Sequence, residues 1–144
     1  MKKLNIYKNK IRKLQSFKDD RGIISDIFYK KKMEHAALIE SKPNIVRGNH
    51  YHKKTIQYMF ILKGSLEYWF KKNKSNKQAK KIILKEGDFI ETPANEIHAM
   101  KIGKVHNKFI VFSKGIRGGL DYEKDTFRVS TIIPNKTGLK KKKN

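Results

Sequence analysis

Cysteine is absent from the 144 residues, which excludes a disulfide framework and any thiolate metal site. Long apolar runs are missing as well. The opening stretch MKKLNIYKNKIRKLQ has the basic flank of a secretory signal without the apolar segment that should follow it, and no later stretch is long enough to span a bilayer. The expectation is a soluble, cytoplasmic protein with no membrane partner. Acidic residues are scarce, 13 against 35 basic ones, for a net charge of +22. Such an excess suggests a polyanion partner, but only five of the basic residues are arginine: Arg12, Arg21, Arg47, Arg117 and Arg128. Lysine lacks the planar fork that reads base edges or grips phosphate bidentately. The lysines are also scattered, with runs at Lys30 to Lys32, in KKNKSNKQAKK and in the final LKKKKN. The pattern predicts a solvated lysine-rich surface and no specific nucleic-acid partner, although the same field would welcome a small molecule bearing a diphosphate.

Apolar residues at helical spacing are also wanting, and what replaces them is a series of short β-rich segments broken by turn chemistry. The segments are Ile23 to Tyr29, Glu34 to Ile39, Asn49 to His52, Gln57 to Leu62, Ser65 to Lys71, Ala79 to Leu84, Asp88 to Thr92, Ile97 to Ile102 and Lys108 to Phe112. Between them Lys63-Gly64 and Glu86-Gly87-Asp88 read as tight turns, and Pro93 presets another. Many short strands at near-regular spacing predict an all-β sandwich or barrel. With 38% hydrophobic residues, the chain can fill one core of ordinary size but hardly two.

In an extended segment alternate side chains share a face, so His50 and His52 in RGNHYHK point the same way and Tyr51 points opposite. Two imidazoles therefore converge on one cavity. In QYMFILKG, Gln57, Met59 and Ile61 share one face, and Tyr58, Phe60 and Leu62 share the other. Both faces are too apolar to meet water, so this strand should be covered twice, the second time by another layer or another subunit. A homodimer is the expectation.

A third histidine, His98, closes the segment GDFIETPANEIHAM. The pattern H-x-H, four residues, Gln57, six residues, Gly64, followed by G-x5-P-x-N-x2-H, resembles the two-part cupin signature. The cupin pattern ordinarily carries Glu where this chain has Gln57 and Gly where it has Asn95. Arg21-Gly22 in DDRGIISDIF and Arg47-Gly48 ahead of His50 resemble the nucleotide-sugar branch of that family. The run Arg47, Gly48, His50, His52, Lys53 and Gln57 is similar to the pattern of dTDP-4-keto-6-deoxyhexose 3,4-ketoisomerases. The 3,5-epimerases of the same branch and the C-terminal cupin of capsular polysaccharide sugar reductases are also similar. SKGIRGGLDYEKDTFR looks like a closing stretch of such proteins. The resemblance implies an RmlC-like jelly roll, a double-stranded β-barrel, over residues 18–133, with an N-terminal segment at 1–17 and a lysine-rich tail at 134–144.

The implied activity is isomerisation or epimerisation of a nucleotide-linked 4-keto-6-deoxyhexose for a surface polysaccharide. A ketone acidifies the protons on the carbons beside it, and an imidazole can remove one and return it elsewhere. By resemblance His50 is the proton-abstracting base and His52 its partner, with Arg47, Lys53, Gln57 and Tyr51 as substrate-binding residues. Arg47 would hold a phosphate or the enolate oxygen, and Tyr51, Tyr58 or Tyr68 would serve as the acid. No cofactor is required by this chemistry. The same side chains offer a competing metal site: His50, His52 and His98 could coordinate Zn²⁺, Mn²⁺, Fe²⁺ or Ni²⁺, with Gln57 as a weak neutral fourth ligand. A plainer alternative is a non-catalytic cupin that binds a sugar or another small ligand. His98 reads equally as a packed imidazole beside Met59 and Met100, His35 and His106 as structural or surface residues, and Arg117 as part of a glycine-rich loop at the barrel mouth.

Overall fold

The computed structural model describes residues 1–7 and 16–135, so part of the N-terminal segment and the tail from residue 136 onward lie outside the described residues. Twelve strands occur among the described residues: β1 (Lys2–Asn5), β2 (Ser16–Asp19), β3 (Gly22–Ser25), β4 (His35–Ser41), β5 (Val46–Tyr51), β6 (Ile56–Lys63), β7 (Leu66–Lys72), β8 (Lys80–Leu84), β9 (Asp88–Thr92), β10 (Glu96–Ile102), β11 (Asn107–Lys114) and β12 (Phe127–Arg128). They form one five-stranded sheet in the order β1-β9-β6-β11-β4, a second in the order β12-β5-β10-β7-β8, and a separate β2-β3 ribbon. The strands within each sheet pair antiparallel. This is the expected all-β jelly roll, in the form of a two-sheet sandwich whose sheets share no strand pairing among the described residues, rather than a fully closed barrel.

The core lies between the inner faces, where Met59 and Ile61 of β6 meet Tyr68 of β7, Ile90 of β9, Met100 of β10 and Phe109 of β11. Period-two alternation puts Tyr58 and Phe60 on the outer face of β6. That face has its second cover within the chain. Beyond β3 the chain leaves the ribbon and packs Ile27, Phe28 and Met33 over Tyr58, Phe60 and Phe89. The Phe28 ring stands edge-on to Phe112 at 4.9 Å and to Tyr58 at 5.3 Å, the favoured arrangement of aromatic quadrupoles. This explains why the strand expected over Ile23 to Tyr29 stops at Ser25. The residues after it cover the sheet instead of pairing with it.

Three strands have no counterpart among the segments read from sequence. β1 pairs with β9 at the edge of the first sheet, so residues assigned to an N-terminal segment contribute to the sandwich. β2 completes the ribbon, and β12 adds two residues beside β5. No helix of the described residues is long and apolar enough to cross a membrane.

Candidate active site

The site is built where β5 and β10 run side by side, with His50 opposite His98 in the register. A bulge between His98 and Ala99 breaks the regular pairing. Across from it Gly48 has φ +90 and Asn49 φ +56. A β-carbon on Gly48 would lie 2.7 Å from the His98 carbonyl oxygen, so only glycine lets the two backbones approach this closely. Asn49 secures the far side: its carbonyl accepts from Val129 N–H and its side-chain oxygen from Ile132 N–H, both at 2.9 Å.

The three imidazoles come together. Ring centroids are 4.9 Å apart for His50 and His52, 4.7 Å for His50 and His98, and 5.4 Å for His52 and His98. They adjoin a cavity of about 150 Å³ lined on its polar side by Arg47, His50, Gln57, Tyr68, His98 and Arg117. His52 is not in that lining; it sits behind Gln57, with its Nε2 3.1 Å from the amide. A larger open groove of about 550 Å³ runs between Lys71, Gln78 and the segment Val129 to Pro134; Lys71 is the one titratable side chain that lines it among the described residues, whereas the imidazoles gather at the smaller cavity.

His52 is braced by a residue that nothing short-range in the sequence marks. Asp125, 2% exposed, accepts at its carboxylate from the Lys53, Lys54 and Thr55 N–H groups at 2.9, 3.0 and 2.7 Å and from the Thr55 hydroxyl at 2.8 Å. Its own carbonyl accepts from His52 Nδ1 at 2.7 Å. Burial alone would raise the Asp125 pKa, but the donors from Thr55, Lys53 and Lys54 outweigh it and hold the group charged. An aspartate in the run YEKDTF looks like a loop residue in water, and its partners lie some 70 positions earlier. Only the general likeness of the closing stretch pointed to it.

Burial disfavours the charged imidazoles. His50 is pushed down from 6.5 to about 3, chiefly by burial and then by His52, Arg117 and Arg128. Burial likewise lowers His98 well below its ordinary value, reinforced by His50 and His52. His52 is lowered by burial too, against a partial upward pull from its hydrogen bond to the Asp125 carbonyl. All three rings are therefore neutral near pH 7. A neutral His52 donating through Nδ1 has only a lone pair at Nε2, so the amide N–H of Gln57, not its oxygen, must face it. His98 is pinned in the same way, with Nδ1 3.1 Å from the Glu96 carbonyl and no hydrogen bond at Nε2 among the described residues. It is thus both the packed imidazole and a member of the cluster.

Of the three candidate acids, Tyr68 alone lines the cavity; its hydroxyl is 2.6 Å from Thr92 Oγ1, and burial raises its pKa so that it keeps its proton. Tyr58 lies on the outer face of β6. Tyr51 and Lys53 are turned away from the cavity, Tyr51 stacked on Phe127 at 5.3 Å and Lys53 Nζ 4.1 Å above the same ring. Arg47 reaches the cavity edge but is tethered to Ser41 Oγ at 2.8 Å and the Glu40 carbonyl at 3.1 Å.

The donor set also fits a divalent ion. One nitrogen from each of the three histidines lies within 4.8 Å of the others, and two of the rings have Nδ1 anchored to backbone carbonyls, the outer arrangement that fixes metal-binding imidazoles. Gln57 adds no charge to that set.

Residues 17–114 match the family model described as Polysaccharide biosynthesis C-terminal domain. No curated protein sequence matches significantly. Solved structures do. A 3,4-ketoisomerase from Helicobacter canadensis shares the fold with a TM-score of 0.70 at 22% identity, over 89% of this chain and 90% of that one. The dTDP-4-dehydrorhamnose 3,5-epimerase from Sulfolobus tokodaii follows with 0.68 at 18% identity, over 85% and 78%. The capsular polysaccharide assembling protein CapF from Staphylococcus aureus gives 0.61 at 17%, over 82% of this chain and 33% of that one. At these identities the likeness is one of fold.

Proposed function

The chain belongs to the polysaccharide biosynthesis C-terminal domain family, and on that premise we propose that it is a cytoplasmic isomerase or epimerase of a nucleotide-linked 4-keto-6-deoxyhexose. The observation that carries this reading is a neutral His50 at the wall of a small cavity, backed by two further imidazoles. About 150 Å³ is well under the roughly 300–1,000 Å³ that encloses a whole drug-sized ligand, so it suits the reacting sugar ring and leaves the nucleotide outside.

In the reaction His50 takes a proton from a carbon beside the ketone. The C–H electrons form a C=C bond, the carbonyl π electrons move to oxygen, and an enolate results. Return of a proton to the other face of that carbon gives an epimer; its return to the neighbouring carbon, with transfer between the oxygens, relocates the ketone. His52, held between the Asp125 carbonyl and the Gln57 amide, stands behind His50 with the ring centroids 4.9 Å apart and keeps that imidazole in place. Tyr68 stays protonated, as an acid must. Arg47, exposed at the edge, meets the diphosphate. The sequence of steps needs no cofactor; a divalent ion held by His50, His52 and His98 would polarise the ketone.

Incubation with dTDP- or UDP-linked 4-keto-6-deoxyhexoses in deuterated water should place deuterium beside the carbonyl, with His50→Ala abolishing incorporation and prior chelation leaving it intact. No incorporation with any such substrate rejects the reaction. Loss on chelation alone rejects its independence from metal.

A further inference from the structure

We infer that Arg117 makes the inner cavity an oxyanion site, and that its guanidinium holds the negative oxygen generated on the substrate. This rests on the reaction proposed above for the identity of the oxygen, but the anion preference stands on Arg117 itself.

Arg117 lines the cavity alongside His50 and His98, and its one side-chain hydrogen bond among the described residues is from Nε to Thr126 Oγ1 at 2.9 Å. The Thr126 hydroxyl is oriented in turn by donating to the Tyr122 carbonyl at 2.6 Å. The guanidinium carbon sits 4.8 Å from the centre of the Tyr122 ring, which fixes the plane of the fork. The loop is tied down behind it, since a β-carbon on Gly118 would meet the His35 ring at 2.6 Å. Both terminal nitrogens are left without a protein acceptor among the described residues.

A half-buried cation without an acceptor is costly. The nearby carboxylates are committed elsewhere. Glu123 makes a two-pronged pair with Arg128 at 2.5 and 2.9 Å, and the Asp125 carboxylate is filled by the donors of residues 53 to 55. Among the described residues Arg117 makes no ion pair, and the imidazoles that share its cavity carry no negative charge. Arg47, the other guanidinium at this cavity, is drawn to the Ser41 hydroxyl and Glu40 carbonyl. An anion that fits beside His50 is the missing partner, and an enolate oxygen is one that appears there only during reaction. Preorganised donors of this kind act on the barrier rather than on ground-state binding.

Two measurements test this. In calorimetric titrations of the chelator-treated full chain, acetate and glycolate should bind at least ~10-fold tighter than acetamide and glycolamide, a difference that Arg117→Gln removes and Arg117→Lys partly keeps. Equal affinity for acid and amide, including no measurable binding of either, overturns the proposal. With a 4-keto sugar, Arg117→Gln should lower kcat by roughly 100-fold with little change in KM. An unchanged kcat with a raised KM would instead make Arg117 a diphosphate contact and also overturn it. Carboxylate preference in a protein that turns over no keto sugar would sink the proposed reaction and leave the anion site standing.

Discussion

Acidification should unfold this protein through its buried histidines, and His50 gives the effect a magnitude. Its pKa is 6.5 in an ordinary setting and about 3 in the fold. The native state therefore binds fewer protons than the unfolded chain across that interval, and stability rises with pH. The contribution is complete above about pH 6.5 and drains away as the pH falls toward 3. Between about pH 7.5 and pH 5, His50 alone accounts for a loss of about 2 kcal/mol. For a chain of this size that is a fall in Tm of roughly 4–8 °C. His52 and His98, also shifted down by burial, add to it in the same direction. The assay is thermal unfolding followed by circular dichroism across this range with a chelator present. His50→Gln, which cannot take up the proton, should lose markedly less Tm on acidification than the wild type. If the two drops agree within about 1 °C, the ring is not held neutral by its surroundings and the reasoning fails.

Asp125→Ala should cost roughly 3 kcal/mol or more in urea unfolding, because the buried Thr55 N–H and hydroxyl each lose an acceptor worth about 1–3 kcal/mol; a midpoint equal to the wild type would refute the clamp. Gly48→Ala places a β-carbon 2.7 Å from the His98 carbonyl at φ +90 and should destabilise by roughly 1–3 kcal/mol while displacing His50, read as lost deuterium incorporation. Light scattering should give the mass of a homodimer, because Phe17, Ile23 and Ile24 of the β2-β3 ribbon and Leu38 of β4 are all more than half exposed. Phe17→Asp with Ile24→Asp should then yield a monomer, and a wild-type monomer would end the idea.

Period-two patterning made the central strands readable, and the segment Asp88 to Thr92 coincides with β9. It also brought His50 and His52 side by side, with ring centroids 4.9 Å apart, although β5 ends at Tyr51 and of the two only His50 lines the cavity. What escaped was set at long range. KKLN at the N-terminus has no alternation, and it becomes β1 only because β9 offers an edge. Nothing in RGNHYHK shows that Arg47 bonds to the Ser41 hydroxyl or that the Lys53 ammonium stands over the Phe127 ring. Gln57, read as a substrate-binding residue and a weak fourth ligand, lines the cavity and also lies 3.1 Å from His52 Nε2, a contact that no local spacing reveals. Asp125 and the unpaired state of Arg117 depend on which distant groups are already engaged, and no local pattern records that.

The bond from His52 to the Asp125 carbonyl spans 73 positions. At about 5–20 residues per second, a ribosome needs roughly 4–15 s to deliver the second partner after the first. Throughout that interval the nascent His52 ring lacks this brace, so any fragment released before residue 125 carries His52 without its partner. Splitting the gene in the glycine-rich loop at 115–119 and co-expressing the halves should therefore restore chemistry only when both products meet.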